Sequence, residues 1–208
     1  MTNKPILYQG AEAKIIRSSY LGKPVVKKHR IKKTYRIKEI DEALIHSRTR
    51  KEAKLMHLAR SAGVFVPFLY DIDVVKGVLT MSYVKGSRVK DIFDELDHQS
   101  RQQLCMMIGS QIARLHNHDL IHGDLTTSNM ILSDDKVFFI DFGLGEINHE
   151  LEVKGVDLHV LMEALESTHS QHARNFTYIL NGYETLYHGD VRQIEKKIDD
   201  IVKRGRYR

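Results

Sequence analysis

Two short apolar runs, Met130-Ile131-Leu132 and Val137-Phe138-Phe139-Ile140, flank the polar stretch Ser133-Asp134-Asp135-Lys136. Runs of this kind around a turn read as a β-hairpin. Its open ends lie one strand spacing, roughly 5 Å, apart. Asn129 enters the hairpin and Asp141 leaves it, so both side-chain oxygens can converge on one hard cation. Just upstream stand His122-Gly123-Asp124-Leu125-Thr126-Thr127-Ser128-Asn129, and just downstream Asp141-Phe142-Gly143. An Asp, an Asn and a second Asp at these spacings are the polar set for moving the γ-phosphate of ATP. Asp124 orients or deprotonates a nucleophile, and Asn129 and Asp141 hold Mg²⁺ against the phosphates. Any one of these residues alone would pass as the polar end of a hairpin; the whole set would not.

With 208 residues the chain can bury a substantial core as one domain or two small lobes. No run approaches the roughly 18 apolar residues of a membrane span. The start, Met1-Thr2-Asn3-Lys4-Pro5, lacks the apolar stretch of a signal peptide, which points to a cytosolic address. The single cysteine, Cys105, sits in an apolar helical pattern and is expected to be a buried thiol. The net charge of +5 is unevenly placed: ten cations, from Lys14 to Lys38, lie between Glu12 and Glu39 with no acid among them. Such a run must repel itself, which favours an anionic partner such as RNA or an acidic protein surface. The end, Lys203-Arg204-Gly205-Arg206-Tyr207-Arg208, repeats the theme.

Residues 1–83 read as a strand-rich lobe and 84–208 as a helical one, an α+β architecture with the active cleft between them. Strands are expected over Ala13–Arg17, Val25–Lys28, Val64–Tyr70 and Val74–Met81, with a turn at Leu21-Gly22-Lys23-Pro24. Helices are expected over Thr49–Ala62, with Gly63 just past its end, then Ser100–Asn117, Val156–Leu165, Ala173–Leu186 and Val191–Val202. Glu52 lies on the apolar side of its helix and needs a cationic partner. Lys28 on the Val25–Lys28 strand is the candidate, as a lysine that meets the phosphates, and Lys27 on the opposite face is the fallback. The turn Gln9-Gly10-Ala11-Glu12-Ala13 stands where a phosphate-covering flap would sit, though it offers a single glycine. Position alone assigns the adenine to Met81-Ser82-Tyr83-Val84. The only prolines are Pro5, Pro24 and Pro67, so no Ala-Pro-Glu follows Asp141, and Gly123 stands where many kinases carry an Arg that pairs with activation-loop phosphate. Sixty-five residues follow Gly143, too few for the usual set of C-lobe helices. These departures describe phosphotransfer machinery without the usual peptide platform.

Gln9–Ala13, Val26-Lys27-Lys28-His29-Arg30 with Tyr35-Arg36, Arg48–Ala53, the Ile121–Asn129 run, Ile140–Leu144, Val156-Asp157-Leu158 and the Arg204-Gly205-Arg206 tail together carry a family resemblance. The chain resembles the small atypical kinase/ATPase subunit of the KEOPS complex, related to the p53-related protein kinase of eukaryotes. The resemblance implies a reduced bilobal protein-kinase-like fold that binds ATP with Mg²⁺ and acts as a serine/threonine kinase and an ATPase. It also implies docking on the metal-containing catalytic subunit, beside other KEOPS subunits, in forming threonylcarbamoyladenosine next to the tRNA anticodon. Carried over, Lys28 would hold phosphates, Glu52 would hold Lys28, Asp124 would be the base or water-positioning residue, and Asn129 and Asp141 would bind Mg²⁺. Asp157 resembles an acid that buttresses the catalytic loop; a plain acid at a helix N-terminus reads equally well. The basic run and tail resemble surfaces that meet the partner or tRNA. Some archaeal relatives are fused to the tRNA-modifying subunit, so the chain suits a separate subunit or an excised domain. Two other readings stay open: an aminoglycoside-type phosphotransferase, which also uses His-Gly-Asp-Leu, and a nucleotide-binding regulatory scaffold.

Overall fold

The computed structural model describes residues 6–206. Met1 to Pro5, and Tyr207 and Arg208 of the basic tail, lie outside the described residues. The chain clusters into two compact units, one of residues up to His57 with Pro67–Val84, the other of Leu58–Val66 with Lys85 onward. The first unit is an antiparallel five-stranded sheet with most of one long helix. The second is helical, with small two- and three-stranded sheets.

In the first unit β1 (Ile6–Gln9), β2 (Ala13–Tyr20), β3 (Lys23–Arg30), β4 (Leu69–Asp73) and β5 (Val78–Ser82) take the order β1-β2-β3-β5-β4. β2 and β3 join through a tight turn in which Leu21 and Gly22 both have positive φ, matching the twist of a two-residue hairpin. The turn is shorter than expected: Lys23 and Pro24 belong to β3 and face Tyr20 and Ser19. Residues 64–68 form no strand, and Val74–Gly77 make the turn into β5. Helix α1 runs over Lys38–Ser61, well ahead of the expected start at Thr49. Its inward positions, Asp41, Ile45, Thr49, Glu52, Ala53 and Met56, are buried and partly polar, so an apolar stripe marks only the second half. The helix ends as expected: Gly63 has φ +80°, and Val64 N–H returns to the Ala59 carbonyl at 3.0 Å.

The basic run is less repulsive than its composition implies. Lys28 and Arg30 pair with Glu52, Lys32 with Glu42 and Arg36 with Asp41, all from α1. Acids beyond the acid-free window thus compensate four of its ten cations, which weakens the case for an anionic partner drawn from self-repulsion alone.

The second unit holds β6 (Ser87–Arg88), α2 (Val89–Ile92), α3 (His98–Asn117), β7 (Leu120–Ile121), β8 (Met130–Ser133), β9 (Lys136–Phe139), β10 (Glu146–Ile147), α4 (Leu151–Thr168), α5 (Phe176–Glu184) and α6 (Val191–Arg206). Asp97 caps α3 by accepting from Ser100 N–H at 2.9 Å. The expected 173–186 helix begins instead as a 3-10 segment, Ser170–Asn175, and becomes α-helical at Phe176. Ile194 and Ile198 bury the apolar face of α6, and Lys197 and Arg204 both reach Glu152 of α4. Cys105 is fully buried, and burial pushes its thiol up to about 12, against a smaller opposing pull from Arg101. Among the described residues no helix is long and apolar enough to cross a membrane.

Candidate active site

Strand β3 carries Lys28 into a buried position, and α1 presents Glu52 to it: Nζ lies 2.6 Å from Oε1. The second oxygen of Glu52 takes Arg30 Nη2 at 2.5 Å, and the carboxylate is 1 % exposed. One buried acid therefore serves two cations. Sequence reading missed Arg30, although its offset of two along a strand places it on the face of Lys28. The turn Gln9–Ala13 joins β1 to β2 and is closed by Gly10 N–H on the Ala13 carbonyl at 3.0 Å. Glu12 is tied to Arg48 at 2.9 Å, and Lys33 donates to the Ala11 carbonyl. Met81 and Ser82 end β5, followed by Tyr83 and Val84. Amides here already serve the sheet: Ser82 N–H donates to Phe68 and Tyr83 N–H to Pro24.

The second unit assembles Asp124, Asn129 and Asp141. Strands β8 and β9 pair Met130 with Phe139, and Ile140 N–H donates to the Asn129 carbonyl at 2.9 Å. The hairpin thus sets Asn129 beside the residue that precedes Asp141. Its turn residues, Asp134 and Asp135, both have positive φ, a conformation that Asp tolerates better than most residues. Asn129 Nδ2 donates to the Asp124 carboxylate at 2.7 Å and to its main-chain carbonyl at 3.0 Å. That orientation turns the amide oxygen of Asn129 away from Asp124 and makes it available to a cation. Asp141 also has a positive φ, +65°, uncommon for a residue other than glycine, and its carboxylate accepts from Gly143 N–H at 3.2 Å. An amide oxygen and a carboxylate suit a hard cation whose remaining ligands are phosphate and water. Among the described residues no group of three or more His, Cys, Asp or Glu forms a self-sufficient metal site.

His122 ties these pieces together. Its Nδ1 accepts from Asp124 N–H at 3.3 Å, so its Nε2 carries the proton that meets the Ile140 carbonyl at 3.1 Å. Its ring packs on Phe142 with centroids 4.6 Å apart. Burial holds its pKa below the ordinary histidine value, opposed by the charges of Asp157, Asp141 and Asp124. Gly123 follows with φ +78°, and a Cβ there would lie 2.6 Å from the Leu144 carbonyl oxygen.

Asp157 lies inside α4, not at its N-terminus, so of the two readings open for it only contact with the loop survives. Its carboxylate accepts from His122 N–H at 2.9 Å and Gly123 N–H at 2.8 Å. His116 Nε2 approaches it at 3.3 Å, and the other ring nitrogen meets the Tyr183 hydroxyl at 3.0 Å. Burial alone would raise the Asp157 pKa, but the His116 hydrogen bond and the surrounding donors bring it below the usual carboxylate value. Sequence reading missed His116 and Tyr183; each sits in an apolar helical stripe that reads as core.

A pH dependence follows from His122. Its folded pKa lies below about 6.5, so the unfolded chain takes up the proton first. Stability linked to the neutral ring is present above that value and is lost as pH falls through it toward the folded pKa. Thermal midpoints without nucleotide should drop between pH 7.5 and 5, and His122→Gln should flatten the curve. An unchanged slope in the variant would assign the loss to another group.

Comparison with known proteins extends this description. A model of the RIO domain matches residues 13–152. The KEOPS complex subunit Bud32 of Pyrococcus abyssi is 44% identical over 211 residues, covering 98% of this chain and 96% of that protein. The "Probable bifunctional tRNA threonylcarbamoyladenosine biosynthesis protein" of Methanothermobacter thermautotrophicus is 46% identical over 203 residues, 97% of this chain but 36% of the relative. The chain therefore spans nearly all of the first relative and about a third of the second. The crystal structure of the Rio2 kinase-ADP/Mg²⁺-phosphoaspartate complex from Chaetomium thermophilum aligns with TM-score 0.65 and 17% identity, covering 93% of this chain and 64% of that one. At that identity the likeness is one of fold, and it establishes the reduced protein-kinase-like α+β architecture.

Proposed function

Because this chain belongs to the RIO-domain family, and within it to the Bud32 group of atypical kinase/ATPase subunits, we propose that it is the ATP-using subunit of a KEOPS complex. In this reading the complex forms threonylcarbamoyladenosine next to the tRNA anticodon, in the cytosol. The observation that carries the chemistry is the Asn129 amide clamped on Asp124, with the hairpin placing Asn129 beside the Ile140–Asp141 step.

In this proposal Lys28, held by Glu52, bears on the nucleotide phosphates, and the Gln9–Ala13 turn covers them. Met81, Ser82 and Val84 meet the adenine. Asn129 and Asp141 hold Mg²⁺, which when bound shields the phosphate charge. Asp124 accepts or orients the proton of the attacking hydroxyl or water. Asn129 keeps that carboxylate aimed, and His122 keeps Asp124 N–H and the Ile140 carbonyl in one frame. With no Ala-Pro-Glu element to seat a peptide, water or a bound partner is the natural recipient. The docking partner is the metal-containing catalytic subunit. The test is phosphate release by the chain alone, then with that subunit and tRNA. Stimulated release that Asp141→Ala abolishes supports the reading. Normal tRNA modification by Asp124→Ala and Asp141→Ala variants would leave only a nucleotide-binding scaffold, and robust phosphorylation of an aminoglycoside would point to a small-molecule enzyme.

The tail is the better candidate than the basic run for meeting tRNA, because four of the run's ten cations are paired with acids of α1. Neutralising Arg204, Arg206 and Arg208 together should weaken tRNA binding and flatten its salt dependence. Arg204 already donates to Glu152, so changing it singly should have less effect than its charge alone implies. A salt slope equal to that of the unaltered chain would assign the tail to a protein contact.

A further inference from the structure

The Asp124 loop is held at its far end as well as at His122 and Gly123. The consecutive hydroxyl residues Thr126, Thr127 and Ser128 all line an open cleft of about 730 Å³; the outer two are partly exposed, whereas Thr127 is 1 % exposed. Its Oγ1 lies 3.0 Å from Nε2 of His169. That histidine is itself buried, ends α4, and sets its ring 4.7 Å from Phe93. Its Nδ1 lies 2.9 Å from the carboxylate of Asp94, which is half exposed. A carboxylate on Nδ1 keeps the proton there, so in the neutral ring Nε2 accepts and the Thr127 hydroxyl donates. These contacts reach across 42 and 75 residues of sequence, so local chain geometry does not produce them. One helix thus grips the loop twice, with Asp157 at the Gly123 end and His169 at the Thr127 end, separated by roughly 18 Å of helix axis.

We propose that His169, oriented by Asp94, is a positioning residue for the phosphotransfer loop. By fixing the Thr127 hydroxyl it sets the 3-10 turn Thr127–Asn129, and through that turn the Asn129 amide that aims the Asp124 carboxylate. The inference rests on the reading of Asp124 and Asn129 given above. An apolar ring at position 169 would fill the same space against Phe93, but would leave a buried hydroxyl without a partner.

Three variants of the full chain test this. Thr127→Val removes the hydroxyl at nearly constant shape, Thr127→Ser keeps it, and His169→Phe keeps the ring without its nitrogens. Phosphate release by Thr127→Val and by His169→Phe should each fall about tenfold in kcat, with KM for ATP within twofold. Thr127→Ser should stay within twofold of the parent, and the double variant should be no worse than either single one. Losses that multiply in the double variant, or a serine variant as slow as the valine one, would overturn the proposal. Amide spectra of the nucleotide-free chain give a readout independent of turnover. Thr127→Val and His169→Phe should both move the Asp124 backbone amide and the Asn129 side-chain amide, leaving α6 unmoved. Unmoved Asp124 and Asn129 signals defeat the inference even if the chain turns over ATP; moved signals without parental turnover would sustain the clamp and count against the proposed activity. If His169→Phe does not fold, Asp94→Asn, at a half-exposed site, replaces it with an expected loss of about threefold.

Discussion

Asp124→Ala should reduce ATP turnover by about 10²–10⁴-fold, the range expected for removing a proton-transfer or nucleophile-positioning group. The fold should survive the change. Asn129 Nδ2 keeps the main-chain carbonyl of residue 124 as an acceptor, and Asp157 still holds the His122 and Gly123 amides. Asp124→Asn should be nearly as damaging, because its amide oxygen can still accept from Asn129 Nδ2 but cannot take a proton from the attacking group. Phosphate release measured beside a thermal melt separates the two effects. A loss below threefold at unchanged midpoint would remove Asp124 from the chemistry.

Asp157→Ala should be the most destabilising change in the second unit. It strips the acceptor from the buried His122 amide, from the partly buried Gly123 amide and from the contact with the buried His116 ring. Unpaired buried donors cost about 1–3 kcal/mol each, so a total of about 3 kcal/mol or more is expected. In a chain of this size that lowers the melting midpoint by roughly 6–12 °C. The pH dependence has a definite sign. The folded pKa of Asp157 lies below its ordinary value, so its contribution is complete above that value and is lost as pH falls through the folded pKa. Melts of the parent and of Asp157→Asn should therefore converge below about pH 4. A midpoint for Asp157→Ala within 2 °C of the parent at pH 7, measured on the same chain, would show that the loop does not depend on this carboxylate.

The geometry of the Asp124–Asn129 loop and the hairpin after it was readable because its signal is local. Spacing from Asp124 to Asn129 and from Asn129 to Asp141, with a hairpin between, sets geometry over a few residues. The Lys28–Glu52 pair was readable for another reason: an acid on an apolar helix face demands a cation, and a strand lysine was at hand. What escaped was polar burial supplied from a distance. The first half of α1 buries Asp41 and Thr49 beside Ile45, and a period counted on apolar residues alone passes over it. His116, Tyr183 and His169 occupy positions that look like core until their partners, far off in sequence, come into contact. Residues 64–68 are apolar yet form no strand, because Phe65 sends its N–H to the Gln111 side chain instead of to a neighbouring strand.

Gly123 sets a limit on what this lineage can become. Every glycine codon is one base away from an arginine codon, so the arginine through which many kinases sense activation-loop phosphate is genetically adjacent. It is conformationally remote. At φ +78°, with the Leu144 carbonyl 2.6 Å from where a Cβ would stand, any side chain must first displace the segment following Asp141. Even Gly123→Ala should melt several degrees below the parent, and an equal midpoint would show that the segment yields freely. The barrier to acquiring phosphorylation control at this position is therefore mechanical, and it would have to be crossed by reshaping two loops together rather than by one substitution.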